Sequence, residues 1–122
     1  MNAIEGFKFE RLEVWKLSLE FLDFIYLIVH QLPKTEEYNL KSQIRRAGTS
    51  IALNIAEGST ATSNAEQIQY IKISIRSLLE VVACIRIIER KGFIQDLSLL
   101  GNCNQLAHFL FAKLQSFKSY LS

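Results

Sequence analysis

The sequence predicts an all-α protein that folds as an antiparallel, up-down-up-down four-helix bundle. Apolar residues recur at three- and four-residue spacing in four long segments, and short connections join these segments. The β-branched runs of the third segment are long and contain no turn residues, which argues against strands. The 122 residues have the usual length of one domain, so we expect residues 1–122 to form a single unit.

The first two predicted helices cover residues 11–32 and 39–58. Pro33 ends the first pattern because proline cannot continue a helix. We expect Asn39 to cap the second helix by accepting hydrogen bonds from the amides of its first turn. The expected core residues of the first helix are Trp15, Leu19, Leu22, Ile25 or Tyr26, Val29 and Leu32. Those of the second are Leu40, Ile44, Ala47, Ile51 and Ile55.

The last two predicted helices cover residues 64–91 and 96–121. Ser63 and Glu66 have the spacing of a capping box, and Gly92 follows the third helix as its C-terminal stop. The expected core residues of the third helix are Ile71, Ile75, Leu78, Leu79, Val82 and Ile85. Those of the fourth are Leu100, Cys103, Leu106 or Ala107, Leu110, Leu114, Phe117 and Leu121.

Three of the helices carry more apolar residues than one core stripe needs. The additional residues are Leu17, Phe21, Phe24 and Leu27 in the first helix, Ile73, Val81, Cys84, Ile87 and Ile88 in the third, and Phe109 and Phe111 in the fourth. Helices that are apolar on two sides usually bury the second side against a partner. We therefore expect a homo-oligomer, and a broad core is the alternative.

A polar stripe runs along the second helix at the edge of its core side. At 100° per residue, five polar residues share one arc of this helix: Gln43, Arg46, Ser50, Asn54 and Glu57. Arg45 falls on the outer side, with Lys41 and Thr49. We therefore expect the stripe to fix the register between helices or between subunits. Of the two arginines, Arg45 is the one that we consider for contact with a phosphate group of a binding partner.

Glu80 on the third helix is the predicted partner of Arg46. Antiparallel packing about a turn near residues 61–62 brings the two residues to similar height, with a mismatch that long side chains can cover. Because a lone buried carboxylate is costly, we expect Glu80 to pair with Arg46, within one chain or across a subunit boundary.

The residue pattern does not favour catalysis or a cofactor. Neither His30 nor His108 follows a glutamate by three residues, as a di-metal carboxylate bundle requires. Cys84 and Cys103 lie on apolar stripes at similar height in the last helical hairpin, and free thiols are expected for both. The apolar run of the first helix is interrupted by acidic residues, so we expect a cytoplasmic protein without a membrane segment.

The chain resembles the four-helix bundle protein family that includes proteins encoded in intervening sequences of bacterial large-subunit ribosomal RNA genes. The resemblance rests on "FERLEVWKLSLEF", "LPKTEEYNLKSQIRRAGTSIALNIAEG" and the "SLLE" of the third helix, and it runs from Phe9 to about Ile94. It implies a homopentamer and signature positions at Gln43, Arg46, Ser50, Asn54, Glu57, Gly58 and Glu80. A related branch, the accessory variability protein of diversity-generating retroelements, implies an alternative role in binding nucleic acid and a reverse transcriptase.

The sequence departs from the family pattern after Glu57-Gly58. The segment "STATS" follows there, where a basic residue is common in the family, and Arg76 replaces a small residue before Ser77. The formal charge of +2 is also small for a dedicated nucleic-acid binder. The candidates for contact with RNA or DNA are Lys41, Arg45, Lys72, Arg76 and Arg86, and we favour solvated helix faces for them. The sequence thus favours a non-enzymatic homo-oligomeric scaffold, with a nucleic-acid-binding accessory as the alternative.

Overall fold

The computed structural model describes residues 6–122, and residues 1–5 of the predicted domain lie outside this part. It confirms the predicted four-helix bundle. The four helices are α1 (Glu13–Gln31), α2 (Leu40–Gly58), α3 (Asn64–Lys91) and α4 (Leu97–Leu121). Short 3₁₀ turns precede α1 and α2 at Lys8–Arg11 and Lys34–Glu36. The described residues contain no strand.

The helix ends follow the predicted signals at Pro33, Ser63 and Gly92 but not at Asn39. Gly92 has a φ of 67°, the left-handed conformation in which glycine ends a helix without steric cost. The Ser63 hydroxyl accepts a hydrogen bond of 3.1 Å from the amide of Glu66, whereas the Glu66 carboxylate accepts from Thr62 instead of closing the box on Ser63. The expectation for Asn39 is wrong. Its side-chain oxygen accepts from the side chain of Gln43 and its amide group donates to Glu36, so it accepts nothing from the amides of the first helical turn.

Each helix packs against the two helices next to it in the bundle. The close backbone approaches join α1 to α2, α2 to α3, α3 to α4, and α4 back to α1, whereas no Cα atom of α1 lies within 8 Å of one of α3 in the described residues. Successive helices are joined by short turns and run in opposite directions. The bundle is therefore up-down-up-down, with α1 and α3 parallel on one diagonal and α2 packed most extensively against α3.

The core confirms the predicted sides of α2 and α4 and corrects those of α1 and α3. Phe21 is fully buried, although the sequence places it on the second side of α1, and Leu19 of the expected core stripe is exposed. Of the two alternatives Ile25 and Tyr26, Ile25 is the core residue. On α3 the core includes four residues of the expected stripe, which are Ile71, Ile75, Leu78 and Ile85. Val81, Cys84 and Ile88 of the other side also belong to the core, whereas Leu79 is exposed. The reason is that both helices carry apolar residues over most of their circumference, so several rotations satisfy the same spacing.

Candidate functional site

The polar stripe of α2 lies beside the side of the helix that packs on α3. Ile51 and Ile55 of the adjacent arc are fully buried, whereas Ser50 and Asn54 are only partly buried. The side-chain amide of Asn54 donates to the carbonyl of Ser50 at 2.9 Å and to its hydroxyl at 3.0 Å. The Ser77 hydroxyl on α3 donates to the Ser50 hydroxyl at 2.9 Å, so the centre of the stripe is bonded to the neighbouring helix.

A second serine of α3 fixes the same helix pair from inside the core. The fully buried Ser74 donates a hydrogen bond of 2.9 Å to the backbone carbonyl of Ile51. At the end of α2, Gly58 faces Tyr70 closely enough that an added Cβ would lie 2.9 Å from the Tyr70 Cβ. These contacts set the register of α2 on α3.

This register brings Arg46 and Glu80 to the same height. Nη2 of Arg46 lies 4.0 Å from Oε2 of Glu80 in the same chain. The side chains are 72% and 47% exposed, so water screens the pair and neither charge is buried. The expected pairing of Glu80 with Arg46 is therefore present within one chain, although neither side chain is buried in the single subunit.

The two ends of the stripe are less tightly held. Gln43 donates to Asn39 Oδ1 at 3.0 Å, a contact within the same segment of chain. Glu57 is exposed, and its carboxylate has no hydrogen bond or ion pair among residues 6–122. The structure thus places Arg46, Ser50, Asn54 and Glu57 of the predicted set along one surface depression, with Glu80 beside Arg46, and leaves Gln43 outside it.

The model of one protein family, described as 23S rRNA-intervening sequence protein, matches residues 10–112. The chain belongs to this family. The matched range contains α1, α2 and α3 entirely and most of α4, so it includes every residue of the polar stripe. The resemblance seen in the sequence is therefore confirmed.

One solved structure agrees with this family assignment. It is a protein with unknown function from the S23 ribosomal protein family of Bacteroides thetaiotaomicron VPI-5482, determined at 1.70 Å. It shares 27% identity with this chain, with a TM-score of 0.78, and the match covers 86% of this chain and 97% of that one. No curated protein matches the sequence.

In this member of the 23S rRNA-intervening sequence protein family, Glu37 holds two of the basic candidates. Its carboxylate lies 3.4 Å from Lys41 Nζ and accepts a hydrogen bond of 3.3 Å from Arg45 Nη2. The Lys41 side chain is only 12% exposed and that of Arg45 is 35% exposed. The predicted orientation of the arginine pair is wrong, because Arg46 is the more exposed arginine and Arg45 folds against the turn before α2.

Glu37 is the residue of this region that the sequence interpretation missed. The two cations beside it hold the pKa of this carboxyl below its usual value of 4.5, with the hydrogen bond from Arg45 as the largest cause. The signal was present in the sequence, since Glu37 precedes Lys41 by four residues, the spacing of a helical ion pair.

The three basic candidates on α3 differ in their partners. Arg86 binds Glu89 at 3.1 Å and Asn104 of α4 at 2.7 Å, so it joins two helices. Lys72 and Arg76 are exposed, and neither has an ion-pair partner in the described part of the chain. They are the two candidates whose charge is left uncompensated.

Both cysteines of the described residues are free and buried. Burial raises the pKa of the Cys84 thiol, with a further contribution from the Glu80 charge, and raises the pKa of Cys103 to about 12. Burial therefore favours the protonated thiol in both cases, and a thiol is a poor nucleophile compared with a thiolate.

An apolar groove with acidic residues lies between α1 and α4. We call it the α1–α4 groove, and its lining residues are Glu20, Asp23, Phe24, Leu27, Asn102, Gln105, Leu106 and Phe109. Leu27 is 54% exposed and Phe109 48% exposed, which is unusual for such large apolar side chains. This groove contains part of the extra apolar surface that the sequence predicted.

A second exposed row runs along the side of α3 that faces away from the core. We call it the outer α3 stripe, which consists of Lys72, Arg76, Leu79, Ala83 and Ile87. These residues follow one another at three- and four-residue spacing, so they share one face of the helix. The stripe combines two uncompensated cations with two large apolar side chains.

None of the helices that the structure describes has both the length and the apolar character needed to cross a bilayer.

Proposed function

We propose that this chain is a non-enzymatic scaffold protein of the cytoplasm that works as a homo-oligomer, with five subunits as the number implied by the family resemblance. The observation that carries the proposal is the large apolar surface left outside the core on α1, α3 and α4. Leu27, Leu79, Ile87 and Phe109 are each about half exposed. A protein in water gains free energy by covering such side chains, and another copy of the same chain is the partner that is always present.

The polar stripe supports a structural role more than a catalytic one. Asn54 and Ser77 both donate hydrogen bonds to Ser50, and Ser74 donates to the backbone of α2. Groups that are bonded in this way hold two helices in register. We therefore assign the stripe to shaping the surface that α2 and α3 present.

A nucleic-acid-binding accessory is the second candidate, and Lys72 and Arg76 are the observation in its favour. Both are exposed and lack a carboxylate partner among residues 6–122. Lys41, Arg45 and Arg86 are engaged by acidic side chains, which weakens the positive potential that phosphate binding requires. Fluorescence anisotropy with a labelled fragment of 23S rRNA tests this candidate, which predicts affinity that falls steeply with salt.

Light scattering coupled to gel filtration tests the main proposal. We expect a mass that is a multiple of the 14.0 kDa chain and that persists on dilution. A species of 14.0 kDa at every concentration would overturn the proposal.

A further inference from the structure

We propose that the outer α3 stripe of one subunit docks into the α1–α4 groove of the next, so that the chain associates head to tail through two different surfaces. This inference rests on the proposed homo-oligomer and names the surfaces that build it. The occupant of the groove is therefore a second copy of this chain.

The charges of the two surfaces are complementary. The groove carries Glu20 and Asp23, and the stripe carries Lys72 and Arg76. All four residues are exposed, and none has an ion-pair partner within residues 6–122. Two acidic residues in one surface and two basic residues in the other favour their mutual contact and disfavour contact of either surface with itself.

The apolar residues of the two surfaces also fit as ridge and groove. On the stripe, Leu79 and Ile87 project on either side of Ala83, whose small side chain permits a helix to approach closely. The groove presents Phe24 and Leu27 of α1, together with Leu106 and Phe109 of α4. Because the partners are large and apolar on both sides, their contact removes the exposed surface that the isolated subunit leaves in water.

The heights of the two surfaces within one subunit follow from the helix contacts. Gly48 of α2 packs against the side-chain ends of Leu22 and Ile25 of α1. Ser50, two residues further along α2, bonds Ser77 of the antiparallel helix α3. The α1 residues that contact Gly48 are therefore level with the part of α3 that directly follows Ser77.

These helix contacts also place the acidic pair of the groove and the basic pair of the stripe at nearly the same height along the bundle. On α1, Asp23 lies at that level and Glu20 just before it, whereas on α3 both Lys72 and Arg76 lie before the matching level. The two pairs differ in height by about three residues, roughly 4.5 Å, which is less than one helical turn. Since α1 and α3 are parallel, a neighbour related by rotation about an axis along the bundle brings its acidic pair level with the basic pair, without a shift along the axis.

Cross-linking of the wild-type protein with a carbodiimide is the first test. This reagent joins a carboxylate to a lysine amine directly, with loss of water. In one subunit no Cα atom of α1 lies within 8 Å of one of α3, and Glu20 and Asp23 line the groove towards α4 while Lys72 is exposed on α3, so we expect a Glu20–Lys72 or Asp23–Lys72 cross-link to form only between subunits. The adjacent pair Glu13 and Lys113, 3.3 Å apart, provides the positive control within one chain.

The expected result is a cross-link from Lys72 to Glu20 or Asp23 that joins light and heavy chains in a mixed isotope sample. An assembled protein that yields the Glu13–Lys113 product but no such cross-link would overturn the docking mode and leave the homo-oligomer standing. A protein that is monomeric throughout would overturn both.

Charge reversal is the second test, with association followed by light scattering and folding by circular dichroism. We expect E20K/D23K and K72E/R76E each to weaken association at least about tenfold, because like charges then face each other. Combining all four substitutions restores complementary charges and the wild-type net charge of +2, so association is expected to recover. K34E/K91E, which changes two exposed lysines outside both surfaces, is the matched control.

Failure of the fourfold variant to recover while it remains folded would contradict the pairing. If a reversal variant fails to fold, the neutral pairs E20Q/D23N and K72Q/R76M replace it. These are expected to lower the salt dependence of association, and an unchanged salt dependence would also contradict the pairing.

Discussion

Ser77 of α3 and Ser50 of α2 share a hydrogen bond of 2.9 Å between their hydroxyl groups, and Asn54 donates to the same Ser50 hydroxyl at 3.0 Å. A single side chain of the polar stripe thus connects its own helix to the neighbouring one. At this point the polar stripe holds α2 and α3 in register. The contribution of these hydrogen bonds can be measured as a change in the free energy of unfolding.

Replacing the bonded serines is expected to destabilise the bundle. Ser77→Ala and Ser74→Ala each remove a hydrogen bond to α2, and we expect each to cost about 0.5–1.5 kcal/mol of unfolding free energy. Ser116→Ala, at an exposed position of α4, is the control and is expected to change stability by less than about 0.5 kcal/mol. Urea denaturation gives the three values, and equal stability of Ser74→Ala and Ser116→Ala would contradict the assignment.

Arg46 and Glu80 are expected to contribute little to the stability of one subunit. Their separation of 4.0 Å and high exposure are typical of a screened surface pair. A double-mutant cycle with Arg46→Ala and Glu80→Ala should give a coupling below about 0.5 kcal/mol. A coupling well above about 1 kcal/mol would show that the pair is removed from water, as at a subunit boundary.

The two helices α2 and α3 approach each other so closely at Gly58 that we expect an alanine side chain there to destabilise the bundle. An added Cβ would lie 2.9 Å from the Tyr70 Cβ, which cannot move without moving its helix. We expect Gly58→Ala to cost roughly 1–3 kcal/mol. Gly101→Ala is the control, since no atom lies within 4 Å of the added Cβ, and it should instead stabilise by roughly 0.5–1 kcal/mol. Denaturation at equal protein concentration compares them, and equal stabilities would be inconsistent with this packing.

The lowered pKa of Glu37 predicts the direction in which the stability of the protein changes with pH. Arg45 and Lys41 lower its pKa from 4.5 in the folded state, so its stabilising contribution is present above pH 4.5 and is lost as the pH falls through the lower folded value. Glu37→Gln should therefore lower the melting temperature at neutral pH and have no effect once the pH is below the folded pKa. Melting curves across this range check the sign, and an effect that grows in acid would contradict it.

The sequence was sufficient to predict the helix ends that depend on residues close to the end itself. Pro33, Ser63 and Gly92 placed helix ends correctly because a missing amide, a capping hydroxyl and a left-handed glycine act within a few residues. The core side of α2 was also correct, because Arg46 and its polar neighbours leave only one side apolar.

The sequence could not predict which side of a helix faces the core where apolar residues surround the helix. It also could not predict contacts between segments that are far apart along the chain. Phe21 and Leu19 fit different rotations of α1 equally well, and only contact with α2 and α4 decides between them. Arg45 folds against the turn before α2, where its guanidinium donates to Glu37, eight residues earlier in the sequence. Family membership was predicted from the α2 motif, and the roles of its residues stay predictions.

Native mass spectrometry of an equal mixture of light and isotopically heavy protein tests self-association most directly. We predict assemblies whose masses are multiples of the 14.0 kDa chain, with a ladder of mixed species between the all-light and all-heavy forms and with five subunits as the expected number. Two peaks that correspond only to the light and heavy monomers, under conditions in which the protein is folded, would contradict it.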